Sequence, residues 1–169
     1  KSFGVRPARD QEPFIGLDER ELSLTADVQV VTCHDTPVAI AGVMGSQASG
    51  VTSTTKSIWL ESAMFSPARV RRSARQVGLR TDASARYEKG LPADLTLACS
   101  VRATDLLQTH FSCNVGERWV GGTAPEKAHP VQLRRSALHA LLGALETENG
   151  PEDLNDDVVE TCLTALGCE

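Results

Sequence analysis

Asp27-Val28-Gln29-Val30-Val31-Thr32-Cys33-His34-Asp35-Thr36-Pro37-Val38-Ala39-Ile40-Ala41-Gly42-Val43-Met44-Gly45 sets two apolar runs on either side of a polar turn. Residues 27–33 alternate and then become β-branched, the pattern of a half-buried strand. His34 to Pro37 supplies a turn, and Val38–Val43 is apolar throughout, so the two runs predict a hairpin. Small residues in Ala41-Gly42-Val43-Met44-Gly45 close it. Two further apolar-to-polar junctions follow. Ile58-Trp59-Leu60 is a strand-like run that ends in Glu61-Ser62-Ala63. Gly78-Leu79-Arg80-Thr81-Asp82-Ala83-Ser84-Ala85-Arg86-Tyr87-Glu88-Lys89-Gly90 is dense in hydroxyls and charge after a basic helix.

Working outward, Ser2 to Arg20 reads as loop, broken by Gly4, Pro7, Pro13 and Gly16. Ser46 to Ser57 is a polar loop, and Ser57–Ser62 returns as a strand. Ser66-Pro67 starts a helix, with serine as cap and proline in the first helical position. Val70, Ala74 and Val77 form its thin apolar stripe, the arginines face outward, and Gly78 is a left-handed cap. A second helix is expected from about Pro92 to Gln108, then strands at Val115–Val120 and Val131–Leu133. Helices are expected over Arg134–Leu142, closed by Gly143, and after Asn155, whose cap is complemented by Asp156 and Asp157. The fold class is therefore α+β, a layered mixed sheet with covering helices. Three segments are expected: a module over 1–124 lacking its N-terminal part, a linker over 125–130, and the truncated start of a small helical domain over 131–169. An opening on Lys1 without methionine and a stop after Gly167 suit a piece of a longer protein.

With 169 residues, 41% apolar and only 4% aromatic, the chain can bury one aliphatic, alanine-rich core plus an appendage. No run of about eighteen apolar residues occurs, so no membrane-spanning helix is expected, and no secretory signal opens the chain. Cys33, Cys99, Cys113, Cys162 and Cys168 form an odd set without a Cys-x-x-Cys pair, which suits reduced thiols in a cytoplasmic protein better than a disulfide framework or zinc site. The net charge of −5 argues against general nucleic-acid coating. That average hides segregation: Arg69, Arg71, Arg72, Arg75, Arg80, Arg86 and Lys89 cluster, while Ala144 onward lacks Lys and Arg. Such a cluster is either a solvated helix face or a patch for phosphate contact.

The candidate site residues each carry two readings. Glu61 is an exposed strand-end acid or arginine partner, or else a hydrogen-bond acceptor inside a pocket, where burial is costly without a partner. Gly45 either supplies a positive-φ turn or lets backbone approach a ligand. Thr81 and Ala83 share one face of an extended segment, making a partly polar wall, or Thr81 or Ser84 caps a helix. No nucleophile elbow, phosphate loop or metal-ligand spacing is present, and the four histidines lie in dissimilar contexts.

In order and spacing, the Ala-Gly-Val-Met-Gly, Leu-Glu-Ser-Ala and Gly-Leu-Arg-Thr-Asp-Ala-Ser motifs resemble the editing module of the β subunit of phenylalanyl-tRNA synthetase, of bacterial, cyanobacterial or organellar type. The resemblance spans most of the chain. It implies that Glu61 accepts a hydrogen bond from the phenolic hydroxyl of a misattached tyrosine, that Gly45 walls the pocket, and that Thr81 and Ala83 line it. Apart from the resemblance, the basic helix face makes Arg69, Arg71, Arg72 and Arg75 the residues expected to contact tRNA. The family's editing histidine would lie upstream of Lys1. Ser46 stands where a second glycine is usual, Lys89 where arginine is usual, and Leu91-Pro92-Ala93-Asp94 departs from the usual Val-Asp-Pro.

The resemblance also implies a cytoplasmic α2β2 heterotetramer that ligates phenylalanine to tRNA(Phe), its synthetic site in the α subunit. ATP and Mg2+ then serve the whole enzyme, with no cofactor in this segment. The segment itself is expected to hydrolyse tyrosyl-tRNA(Phe). Two other readings stand beside it: a free-standing hydrolase that edits in trans, and a non-catalytic module that binds tRNA or protein.

Overall fold

A computed structural model describes residues 2–123 and 130–168. The chain divides into two compact units, Lys1–Ala124 and Pro125–Glu169. The α+β class is the one expected, and every strand pair is antiparallel where a mixed sheet was anticipated.

The first unit is built on the anticipated hairpin. Strand β4 (Gln29–Cys33) pairs with β5 (Thr36–Ile40) around a two-residue loop, with His34 at φ 48° and Asp35 at φ 66°. Both loop residues take the left-handed conformation that matches strand twist, an unusual demand without glycine. Asp35 is held there by Arg6, whose Nε donates to Oδ1 at 2.7 Å, and by Arg9. The register slips between Val31 and Thr32, opposite Pro37, which has no N–H to give the ladder.

Ser2–Arg20, expected as loop, instead forms strands. β1 (Phe3–Pro7) pairs with β4 at the sheet edge, and β2 (Glu12–Ile15) pairs with β3 (Glu21–Leu24). The prolines read as breakers sit at tolerated places: Pro7 is the last residue of an edge strand, and Pro13 lies in a two-stranded ribbon. Arg6 closes this region by donating to both oxygens of the buried Glu12 at 2.9 and 2.8 Å, which holds that carboxyl below its usual range.

Three other expectations fail in the opposite direction. Residues 57–62, 115–120 and 131–133 have strand-like sequence but form no ladder among the described residues, and Ile58, Trp59 and Leu60 are all exposed. An apolar run becomes a strand only where another backbone offers N–H and C=O groups.

β5 turns back through residues 41–43 into β6 (Met44–Gly45), completing the order β1-β4-β5-β6. Helix α1 (Pro67–Gln76) packs its expected stripe on the sheet, with Val70, Ala74 and Val77 buried beside Val28, Val30 and Ile40. Ser73 is also fully buried and accepts from the Gln29 amide at 3.1 Å. Gly78, at φ 64°, ends the helix, and Leu79 N–H donates back to Ala74 C=O. Ser66 occupies the cap position, although its side chain makes no cap bond. Two helices follow, α2 (Asp82–Tyr87) and α3 (Ala93–Phe111); no residue of α3 is buried.

In the second unit, α4 (Arg135–Leu142) and α5 (Asp156–Ala165) flank an unanticipated hairpin of β7 (Leu145–Thr147) and β8 (Gly150–Glu152). Asn155 caps α5 as expected, accepting from Asp157 N–H at 2.8 Å. Arg135 donates to Asp156 at 2.7 Å and also pairs with Glu160, while His139 Nε2 meets Asp156 at 2.9 Å. No described residue of this unit is buried. The expected linker over 125–130 lies outside the described residues except for Pro130. Among the described residues, no helix is long and apolar enough to cross a membrane.

Candidate functional site

The turn between β5 and β6 is where backbone demand is highest. Gly42 takes φ 67°, a conformation that side chains resist. A Cβ on Gly42 would lie 3.2 Å from Phe65, Tyr87 and Val70 alike. Gly45 does not have positive φ, so the turn-forming reading belongs to Gly42. What Gly45 provides is approach: a Cβ there would stand 3.0 Å from Leu17 Cδ1, and Leu17 N–H donates to Gly45 C=O at 3.0 Å. Leu17, in the β2–β3 turn, is thus a neighbour of the glycine wall that no sequence motif marked.

Thr81 belongs to a cap rather than an extended wall. Its Oγ1 accepts from Ser84 N–H at 3.1 Å, Ser84 Oγ accepts from Thr81 N–H at 2.9 Å, and the two together form a capping box for α2. The Thr81 hydroxyl also donates to Val43 C=O at 2.8 Å. That bond ties the third motif to the first. Ala83 lies inside α2 and is exposed, so it does not share an extended face with Thr81.

Glu61 sits on the unladdered segment. By surface area the residue is exposed, yet protein atoms around its carboxyl push its pKa up by desolvation, with no hydrogen bond or charge to offset it. Tyr87 is raised too, by burial first and then by the fields of Glu61 and Cys99. Glu61 therefore neighbours Tyr87 electrostatically, while the hydrogen bonds of the site run through Thr81 and not through Glu61. Its neighbour Ser62 donates from Oγ to Thr96 C=O at 2.7 Å, tying the segment to α3.

On the outer face of α1, Arg71, Arg72 and Arg75 line a shallow depression with Ala68 and Gln76; Arg69 is exposed but not part of it. Arg71 donates to Glu88 C=O at 3.1 Å, and Arg72 reaches Asp27 at 3.5 Å.

Residues 1–112 match the B3/4 domain family. Over its whole length the chain is 64% identical to a phenylalanine–tRNA ligase beta subunit of Synechococcus sp. strain CC9605. It is 66% identical over 99% of its length to that of Parasynechococcus marenigrum strain WH8102, and 54% identical over its whole length to that of Prochlorococcus marinus strain MIT 9313. In each case the chain covers 21% of the relative. The chain thus belongs to the B3/4 domain family, and it spans about a fifth of the length of the phenylalanine–tRNA ligase beta subunits it matches.

Proposed function

We propose that this chain is part of the β subunit of a phenylalanine–tRNA ligase and that it hydrolyses tyrosyl-tRNA(Phe). The observation that carries this reading is Glu61: a partly desolvated carboxylate without an internal partner. Desolvation of a charged acceptor is unfavourable until something donates to it.

The chemistry explains why such an acceptor is useful. An apolar slot that selects phenylalanine rejects an added hydroxyl only on the order of a hundredfold. A second site built around that hydroxyl separates the two. A tyrosyl ester donates its phenol O–H to Glu61; a phenylalanyl ester leaves the carboxylate unpaired, at a cost of about 1–3 kcal/mol. Gly45, with Leu17 packed against it, forms the wall, and Thr81 holds that wall by its bond to Val43. The aminoacyl ester is already activated, so hydrolysis needs an oriented water more than a strong base. The depression at Arg71, Arg72 and Arg75 supports contact with tRNA phosphates, joined by Arg69 on the same helix. The partner is an α subunit in a cytoplasmic α2β2 assembly. ATP and Mg2+ belong to the whole enzyme's ligation step, and nothing in the hydrolysis runs through them.

In the full enzyme, Glu61→Ala should leave phenylalanine charging intact and lower kcat/KM for tyrosyl-tRNA hydrolysis by about tenfold or more. The acceptor is lost as pH falls through its raised pKa, so the acid limb of hydrolysis should sit above the ordinary glutamate range and vanish in the variant. Tyr87 is the titratable group that feels Glu61, and its own pKa is raised, so it does not contribute to the acid limb. Unchanged deacylation by Glu61→Ala would overturn the assignment.

A further inference from the structure

The segment bearing Glu61 has no β-ladder among the described residues, so something other than strand pairing must place its carboxyl. Ser62 gives one tie, to α3, and Trp59 a second, its ring 5.0 Å from that of Phe3 in β1. The tie that reaches the glycine turn is also aromatic. Phe65, four residues after Glu61, packs on Tyr87 with ring centroids 5.4 Å apart and planes tilted by 54°. The Tyr87 ring in turn rests on the bare backbone of Gly42, where any side chain would meet it. Tyr87 ends α2, and α2 begins at Thr81, whose hydroxyl holds Val43. One ring therefore touches all three motifs: the glycine turn, the Glu61 segment through Phe65, and its own helix.

We propose that Tyr87 is a positioning residue of the editing site, its ring setting where Glu61 stands relative to the glycine turn. The assignment rests on the editing reading above and deepens it. Edge-tilted ring pairs have a preferred geometry, so the Phe65–Tyr87 contact fixes direction as well as distance. The absence of a Cβ at Gly42 is what lets the ring reach the turn. Replacing the ring by a small side chain frees the stretch after Ser62 from the glycine turn, leaving the segment held by Ser62 on α3 and by Trp59 on Phe3. Glu61 then meets a phenolic ligand over a spread of positions, which weakens binding more than it slows the bond-breaking step. The phenol oxygen is not needed for this, since the contacts with Phe65 and Gly42 are made by the ring.

The test uses the full enzyme with Tyr87→Ala and Tyr87→Phe, tyrosyl-tRNA(Phe) as substrate, and phenylalanine charging as the control for folding. Tyr87→Ala should raise KM for deacylation by about tenfold with a smaller fall in kcat, and Tyr87→Phe should restore KM to within about threefold of wild type. In parallel, amide hydrogen exchange should quicken at residues 42–45 and 61–65 in Tyr87→Ala and not in Tyr87→Phe. Wild-type KM in Tyr87→Ala, or equal damage in the two variants, would overturn the role of the ring. If the wild-type enzyme hydrolyses no tyrosyl-tRNA, the editing reading falls, and exchange alone then judges Tyr87: unchanged protection in Tyr87→Ala removes its positioning role as well.

Discussion

Positive φ falls on Gly42, and the close approach of another side chain falls on Gly45, so the two glycines of one turn answer different demands. Gly42 is constrained twice. Left-handed backbone disfavours a Cβ, and the space a Cβ would fill is already bounded by Phe65, Tyr87 and Val70. Gly42→Ala should lower local stability by about 1–3 kcal/mol, read as faster hydrogen exchange at amides 40–46 in the full subunit. Exchange unchanged from wild type would show that the turn tolerates a side chain. At Glu61 the relevant quantity is what is missing. Its carboxyl is crowded and has no hydrogen-bond partner among the described residues, whereas that of Glu12 is compensated by both arms of Arg6. The same residue type is fixed by an ion pair in one place and stands without one among the described residues in the other.

Among elements, α2 is short and depends on its cap. The capping box and the bond to Val43 C=O both use the Thr81 hydroxyl, so one oxygen starts a helix and anchors it to the turn. Thr81→Ala should cost about 1–2 kcal/mol, with exchange quickening at 81–87 and at Val43 together; Thr81→Ser, which keeps the oxygen, should lose little. Loss confined to α2, with Val43 still protected, would mean that helix and turn are not coupled. The same oxygen explains a misreading. Thr-Asp-Ala-Ser is equally a wall of alternating side chains and a helix start, and the choice turns on whether Ser84 folds back onto Thr81. It does, and Ala83 moves out of line with Thr81 as a result.

Across the whole chain, charge is segregated rather than balanced. Arginines on α1 face away from the stripe that binds the sheet, while the segment from Ala144 onward carries acid without Lys or Arg. The α1 face is therefore where the proposed contact with a polyanion belongs. In the full enzyme, replacing Arg71, Arg72 and Arg75 together by Gln should weaken tRNA binding and reduce the slope of log K against log salt by about two. An unchanged slope would return this helix to ordinary solvated surface. The second unit has polar ties between α4 and α5 and no buried residue among those described, so its stability rests on few contacts of its own.

Local chemistry was legible in advance. The β4–β5 hairpin, the stripe and glycine stop of α1, and the Asn155 cap each depend on residues a few positions apart, and each is found where periodicity and turn residues predicted it. Gly45, Glu61 and Thr81 are singled out by the resemblance of their motifs to a known family, since the residues alone leave a turn, an exposed acid and a helix cap equally open. What stayed hidden was non-local. Prolines concealed β1 and β2 because their tolerance depends on which neighbour lies alongside, and residues 57–62 look like a strand because ladder partners leave no mark on their own sequence. Only the tertiary structure decided that Thr81 bonds the turn, that Leu17 covers Gly45, and that the Tyr87 ring joins three motifs, because each is a contact between segments that chain order keeps apart.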